Sequence, residues 1–150
     1  MITLYYEGYN NKAERKIIES AALFASNKLF PRHKVSVTII LVNNLHKKEN
    51  IQGDVIYEDC GSRPRDFTIR LHKGMDEAEL ATLIFHEFVH IKQYIRKELV
   101  LKYDSKLAEY KIYFKGKDVS NIKYWDLPYE KEAYKLQEKL YKQYLNSINL

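Results

Sequence analysis

The chain has 150 residues, of which 45% are hydrophobic, so it is long enough and apolar enough to bury one core. Its net charge of +5 comes from interspersed Lys and Glu rather than from a basic block, which argues against a nucleic-acid partner. We therefore expect one globular domain over residues 1–150. A single cysteine excludes an internal disulfide, and the lack of a long apolar run or a basic-then-apolar leader predicts a cytoplasmic protein that does not span a membrane.

Short apolar stretches alternate with longer periodic ones, without repeats or low-complexity segments. The β-branched or alternating stretches predict strands at 2–6, 35–42, 55–57 and 67–71. Apolar residues at helical spacing predict helices over 11–29, 76–98 and 128–146. Residues 111–119 predict a β-hairpin, and residues 99–108 fit neither period. We expect an α+β fold in which a small mixed β-sheet, including 35–42 and 66–72, packs against these helices.

The central helix carries His86-Glu87-Phe88-Val89-His90, which is an H-E-x-x-H sequence. Residues i and i+4 lie on one helix face, where two imidazoles can bind one Zn²⁺. Glu87 lies beside these ligands and can accept a proton from a water activated by the metal. The alternative is a pair of surface histidines on an amphipathic helix.

The helix that carries this motif is well marked in the sequence. Asp76 and Glu79 have the spacing of a capping box at its start. No Pro or Gly interrupts residues 76–98. Apolar residues recur on one face at steps of three and four, at Leu80, Ile84, Phe88, Ile91 and Ile95. The helical context therefore favours the zinc interpretation.

A catalytic zinc takes three protein ligands, and the motif supplies two. The candidates for the third ligand are His33, His46, His72, Cys60, Glu130 and Glu132. Lone histidines are usually surface residues, and only the position of His72 at the end of a strand places it near the motif helix. Glu130 and Glu132 lie in the first turn after Pro128, where carboxylates also suit the helix dipole.

The motif, followed at a distance by Glu130-x-x-Ala133, resembles the gluzincin group of zinc metallopeptidases. The chain is similar to the minimal single-domain gluzincins, and residues 124–133 resemble a segment of small phage and bacterial metallopeptidases. The resemblance implies a zincin-like fold, with His86, His90 and Glu130 as zinc ligands. It also implies that Glu87 is the general base and that the substrate is a peptide or protein.

One departure from the gluzincin pattern concerns Tyr134, which stands where many members have an Asp that orients the first histidine. The partner of His86 is therefore unassigned, although metal-binding histidines usually have one. A donor to the scissile carbonyl is unassigned as well. A Tyr between residues 124 and 141, or His72, is a candidate for that role.

The two carboxylates of the last helix point about 200° apart, so only one can face a metal. Glu130 shares its face with Ala133, Tyr134 and Gln137, and the small Ala133 would allow the motif helix to approach. Glu132 shares its face with two lysines, Lys135 and Lys139, as a solvated residue would. We therefore expect Glu130 to be the ligand and Glu132→Ala to cost little.

Two function hypotheses follow from these residues. The first is a zinc-dependent endopeptidase. The second is a zinc-binding regulatory or interaction domain without turnover, which the missing Asp and the missing oxyanion donor motivate. Glu87 distinguishes them, because Glu87→Gln would stop hydrolysis but would leave the affinity of a binding module intact.

Two further expectations concern the surroundings of the motif. If the strand 67–71 lies at a sheet edge, it either pairs with an extended peptide substrate or is an ordinary edge protected by Arg65 and Arg70. Cys60 is either a thiolate lid on the zinc, as Cys60-Gly61-x-x-Pro64 faintly resembles a cysteine-switch segment, or a small buried hydrophobe.

Overall fold

The computed structural model describes residues 2–8, 11–45, 51–58 and 63–149. These residues form a mixed α+β structure with three α-helices and two small sheets. The strands are β1 (Ile2–Gly8), β2 (Val35–Val42), β3 (Gly53–Tyr57), β4 (Asp66–His72), β5 (Leu99–Asp104), β6 (Glu109–Phe114) and β7 (Lys117–Asp118). The helices are α1 (Lys12–Leu29), α2 (Glu77–Ile95) and α3 (Pro128–Ile148), with a 3₁₀ turn at Tyr124–Asp126. The α+β expectation is therefore confirmed.

The larger sheet has the strand order β1-β2-β4-β3. Strands β1, β2 and β4 are parallel, and β3 pairs antiparallel with β4. Along β2 every second side chain is buried, because the helices cover one face of the sheet. The prediction that 35–42 and 66–72 belong to one mixed sheet is confirmed.

The condition under which the strand at 67–71 could pair with a peptide, a position at the sheet edge, is not met. β4 is paired on both sides, with β2 and with β3, and the two edge strands of the sheet are β1 and β3. The alternating pattern of β4 arises because Phe67, Ile69 and Leu71 are buried while the residues between them are only partly covered. Alternation therefore reports one covered face and not an unpaired edge.

Helix α2 lies at the centre of the core between α1 and α3. The Asp76 side chain accepts a hydrogen bond from the Glu79 N–H at 2.9 Å, so the predicted N-cap is confirmed. All five residues of the predicted apolar stripe are buried. Burying one such Leu or Phe side chain contributes roughly 1.5–3 kcal/mol, so this stripe fixes the rotation of the helix and the direction of its motif residues.

The second sheet lies beside the end of α2 and the start of α3. The predicted hairpin is confirmed as β6 and β7, with positive φ at Lys115 and Gly116. The ambiguous segment after α2 forms β5, which pairs antiparallel with β6. A small core of Leu99, Phe114, Val119 and Leu127 lies under the loop that leads to α3. No helix in the described ranges has the length and apolar character needed to cross a membrane.

Candidate metal centre

His86 and His90 lie one turn apart on α2 and direct their Nε2 atoms to the same point. The two Nε2 atoms are 3.2 Å apart. Both side chains are nearly buried, at 7% and 6% exposure, so neither is an ordinary surface histidine. The apolar stripe of α2 packs into the core, while these imidazoles face the first turn of α3.

Glu130 completes a three-residue cluster. Its Oε2 lies 3.0 Å from His86 Nε2, and its Oε1 lies 3.0 Å from His90 Nε2. Pro128 begins α3 and places Glu130 in its first turn, and the fully buried Ala133 lies one turn further along. The candidate ligand atoms of the three residues all lie within 4.8 Å of one another.

Glu132 points elsewhere, but the expectation that it is a solvated residue beside Lys135 and Lys139 is wrong. Its Oε1 accepts hydrogen bonds from Lys92 Nζ at 2.6 Å and from Gln93 Nε2 at 3.1 Å. Both donors are buried residues of α2. Helical geometry separates Glu130 from Glu132 correctly, but it carries no information on which neighbouring helix each carboxylate meets.

The hydrogen bonds of Gln93 determine which nitrogen of His90 carries its proton. Gln93 Nε2 donates to the Tyr129 carbonyl at 3.0 Å and to the Glu132 carboxylate, and both of these groups only accept. The amide oxygen of Gln93 must therefore face His90 Nδ1, at 2.8 Å. Nδ1 donates to this oxygen, and the lone pair of Nε2 is left facing the cluster.

His86 has a similar partner that the sequence did not reveal. Gln137 Oε1 lies 2.7 Å from His86 Nδ1, which leaves Nε2 of His86 to face the cluster as well. Gln137 follows Glu130 by seven residues on the same helix face, and this spacing is the sequence feature that could have predicted its position near the histidines. Tyr134, at the position of the missing Asp, instead packs its ring 4.7 Å from the His86 ring.

The donor set fits a zinc ion. Two imidazole lone pairs and a carboxylate converge, and such groups repel one another unless a cation or protons lie between them. Two His nitrogens and one Glu oxygen are a ligand set of catalytic zinc sites, which keep one position open. The open position is available here, because the three residues line a cavity of about 980 Å³.

Burial and neighbouring groups shift the pKa values of the two carboxylates of the cavity in opposite directions. Burial raises the pKa of Glu87 to about 8, despite the opposing effect of His86. Burial also acts to raise the pKa of Glu130, but its interactions with His86 and His90, in the forms that carry a proton at Nε2, outweigh burial and lower that pKa to about 2. A bound cation would add positive charge beside Glu87 and lower its pKa toward the ionised form that a base requires.

The cavity is bounded by β3 on one side and by an aromatic group on the other. Its β3 wall consists of Gly53, Asp54 and Val55. A Cβ on Gly53 would lie 2.8 Å from the Arg70 carbonyl and 3.0 Å from Leu83 of α2, so glycine allows this close approach. Asp54 is held in place by an ion pair with Arg70.

The aromatic wall contains Tyr124, Trp125 and Tyr134. The Tyr124 hydroxyl donates to Glu130 Oε2 at 3.2 Å and lies 3.2 Å from the Tyr134 hydroxyl. Burial, together with these two neighbours, raises the pKa of Tyr124, so its hydroxyl keeps its proton and remains a donor. Trp125 is 77% exposed at the rim.

The other candidate ligands lie outside the cluster. Of the described residues, only His86, His90 and Glu130 form a group that could hold a metal ion. Neither His33 nor His72 is in this group, and neither lines the cavity, which leaves His72 without support as a donor to the scissile carbonyl. His46 and Cys60 lie outside the described residues, so the cysteine-lid hypothesis stays a prediction.

The chain matches no protein-family model, no curated protein and no solved structure. The resemblance to gluzincins therefore stays a prediction from the motif residues.

Proposed function

We propose that this chain is a zinc-dependent metallopeptidase with a zincin-like arrangement. The observation that carries the proposal is the convergence of two imidazole nitrogens and one carboxylate in a cavity that Glu87 also lines. His86, His90 and Glu130 would hold the ion. When bound, zinc supplies a Lewis acid that polarises a carbonyl and lowers the pKa of water.

Side chains of the protein would carry out the proton transfers and stabilise the oxyanion. Glu87 accepts a proton from the attacking water and then transfers it to the leaving amine. Tyr124 would donate a hydrogen bond to the developing oxyanion, because its neutral hydroxyl already lies beside Glu130. The nearly complete burial of Glu87 keeps the base away from bulk water.

The edge strand β3 supports a peptide or protein as the substrate. In the part of the sheet that the structure describes, β3 has no strand on its outer side, and its residues line the cavity. An extended peptide can pair with such an edge through its backbone. β3, rather than the strand at 67–71, would therefore pair with an extended peptide.

The test compares the unchanged protein with Glu87→Gln and His90→Ala. Metal content after zinc loading is measured, followed by digestion of casein and of a peptide library. We expect about one zinc per chain and hydrolysis in the unchanged protein, zinc without hydrolysis in Glu87→Gln, and neither in His90→Ala.

Two results would contradict the proposal. A chain that holds zinc but cleaves no substrate in the library would be a zinc-binding module without turnover. Full zinc occupancy in His90→Ala would show that the ion binds elsewhere.

A further inference from the structure

A buried polar network lies behind His90, on the side away from the cavity. Gln93 has no exposed surface, and Lys92 is 8% exposed. Lys92 Nζ donates to Glu98 at 2.8 Å and to Glu132. Buried polar groups are costly unless they are paired, so a network in the core at this point needs an explanation.

The network ends on a ligand nitrogen. Glu132 Oε1 accepts from Lys92 and Gln93 together, and Gln93 Oε1 accepts from His90 Nδ1. The amide of Gln93 cannot be flipped by 180°. Its oxygen would then face the Tyr129 carbonyl and the Glu132 carboxylate, which are both acceptors, and its Nε2 would face His90. Each member therefore determines the orientation of the next.

We propose that Gln93 is a positioning residue that holds His90 in its Nδ1–H tautomer, and that Glu132 acts through it. This inference deepens the proposed zinc site, and its importance for catalysis rests on that function. Helix α3 then contributes two residues to the centre. Glu130 is a ligand, and Glu132 fixes the amide of Gln93, which in turn holds His90.

This arrangement explains why both carboxylates of Glu130-Lys131-Glu132 turn toward α2 without competing for one ion. Glu130 meets the imidazoles from the cavity side, and Glu132 meets Lys92 and Gln93 one turn further along α2. Docking of α3 therefore brings the third ligand into place and selects the tautomer of His90 in the same step.

The experiment reads the tautomer of His90 directly in metal-free protein. Two-bond ¹H–¹⁵N correlation spectra, recorded above the histidine pKa, distinguish Nδ1–H from Nε2–H. The variants are Gln93→Leu and Glu132→Ala, and Glu138→Ala is the matched control because it removes an exposed carboxylate from the same helix. Zinc affinity is measured separately by competition with a chelator, and circular dichroism checks folding.

We expect a single Nδ1–H tautomer in the unchanged protein and in Glu138→Ala. Gln93→Leu should give a mixture and weaken zinc binding about 10- to 100-fold, as removal of outer hydrogen-bond partners does at other metal sites. Glu132→Ala should give the same changes to a smaller extent, because the Tyr129 carbonyl still holds the amide. Should Gln93→Leu fail to fold, Glu132→Ala provides the test from the far end of the network.

A pure Nδ1–H tautomer in both folded variants would overturn the proposal, whatever the zinc affinities are. If the tautomer shifts as expected but even the unchanged chain binds no zinc, Gln93 does position His90 and the proposed metallopeptidase function fails instead. The two inferences are thus tested by separate readouts.

Discussion

The two sides of the candidate centre are built differently. Behind His90, Gln93 is fully buried and makes three hydrogen bonds, and the network continues to Lys92 and Glu132. Behind His86, Gln137 is only partly buried and makes its one described side-chain hydrogen bond with the histidine. The ring beside His86 belongs to Tyr134, which is 42% exposed.

The surroundings of His90 should therefore be more rigid than those of His86, and those of His86 are more exposed. The His90 side is fixed from several directions, so it can hold ligand geometry without help from a bound ion. The His86 side lies beside Tyr134 and Tyr124, which line the cavity and are exposed. Changes on the His90 side should therefore alter stability and metal binding together, and changes on the His86 side should alter metal binding alone.

Removal of the metal should have the largest effect, because the ion joins both sides. At free zinc about 1,000 times above the Kd, the free energy of unfolding should be about 4 kcal/mol higher than with a chelator. Thermal denaturation with and without chelator measures this difference. His86→Ala is the control, and it should denature at the same temperature in both conditions. Equal melting temperatures for the unchanged protein would mean that no ion joins the two sides.

Glu130→Ala should come next. It removes the ligand that contacts both histidines, so the zinc affinity should fall by more than about 100-fold, beyond the usual cost of an outer partner. Titration against a chelator of known affinity measures the loss, with Glu138→Ala as the matched control. If zinc is lost in Glu132→Ala instead, the two carboxylates have exchanged roles.

A pair of Gln→Glu substitutions should separate the two sides most clearly. Gln93→Glu removes the N–H donors to Tyr129 and Glu132 and buries a second carboxylate, which should cost about 3 kcal/mol or more in stability. Gln137→Glu places a carboxylate on His86 Nδ1 and should strengthen zinc binding about tenfold, because it makes the imidazole more basic. Urea denaturation and zinc titration measure the two effects. Similar results for both variants would contradict the asymmetry.

Glu132→Ala should have the smallest effect on stability of these changes, about 1–3 kcal/mol. The loss leaves Lys92 with Glu98 alone and leaves Gln93 with one acceptor for its N–H groups. Urea denaturation of the metal-free protein gives the value. A loss of only a few tenths of a kcal/mol, typical of an exposed helix pair, would show that the His90 side is less rigid than its hydrogen bonds indicate.

Local pattern in the sequence determined the main features of α2 and α3. The spacing of Leu80, Ile84 and Phe88 fixed which face of α2 is buried and therefore where His86 and His90 point. Helical angles and the small Ala133 separated Glu130 from Glu132 in the same way. These features depend on residues within a turn or two of one another, so a single sequence can specify them.

Only the tertiary structure decided the partners that come from distant segments. The bond of Gln137 to His86, the ion pair of Glu132 with the buried Lys92 and the position of β3 at the sheet edge depend on how α3 and β3 dock against α2 and β4. A polar residue at a given spacing has the same local pattern whether it meets water or a buried amine. Its partner is set by packing between helices and strands far apart in the chain, which periodicity does not encode.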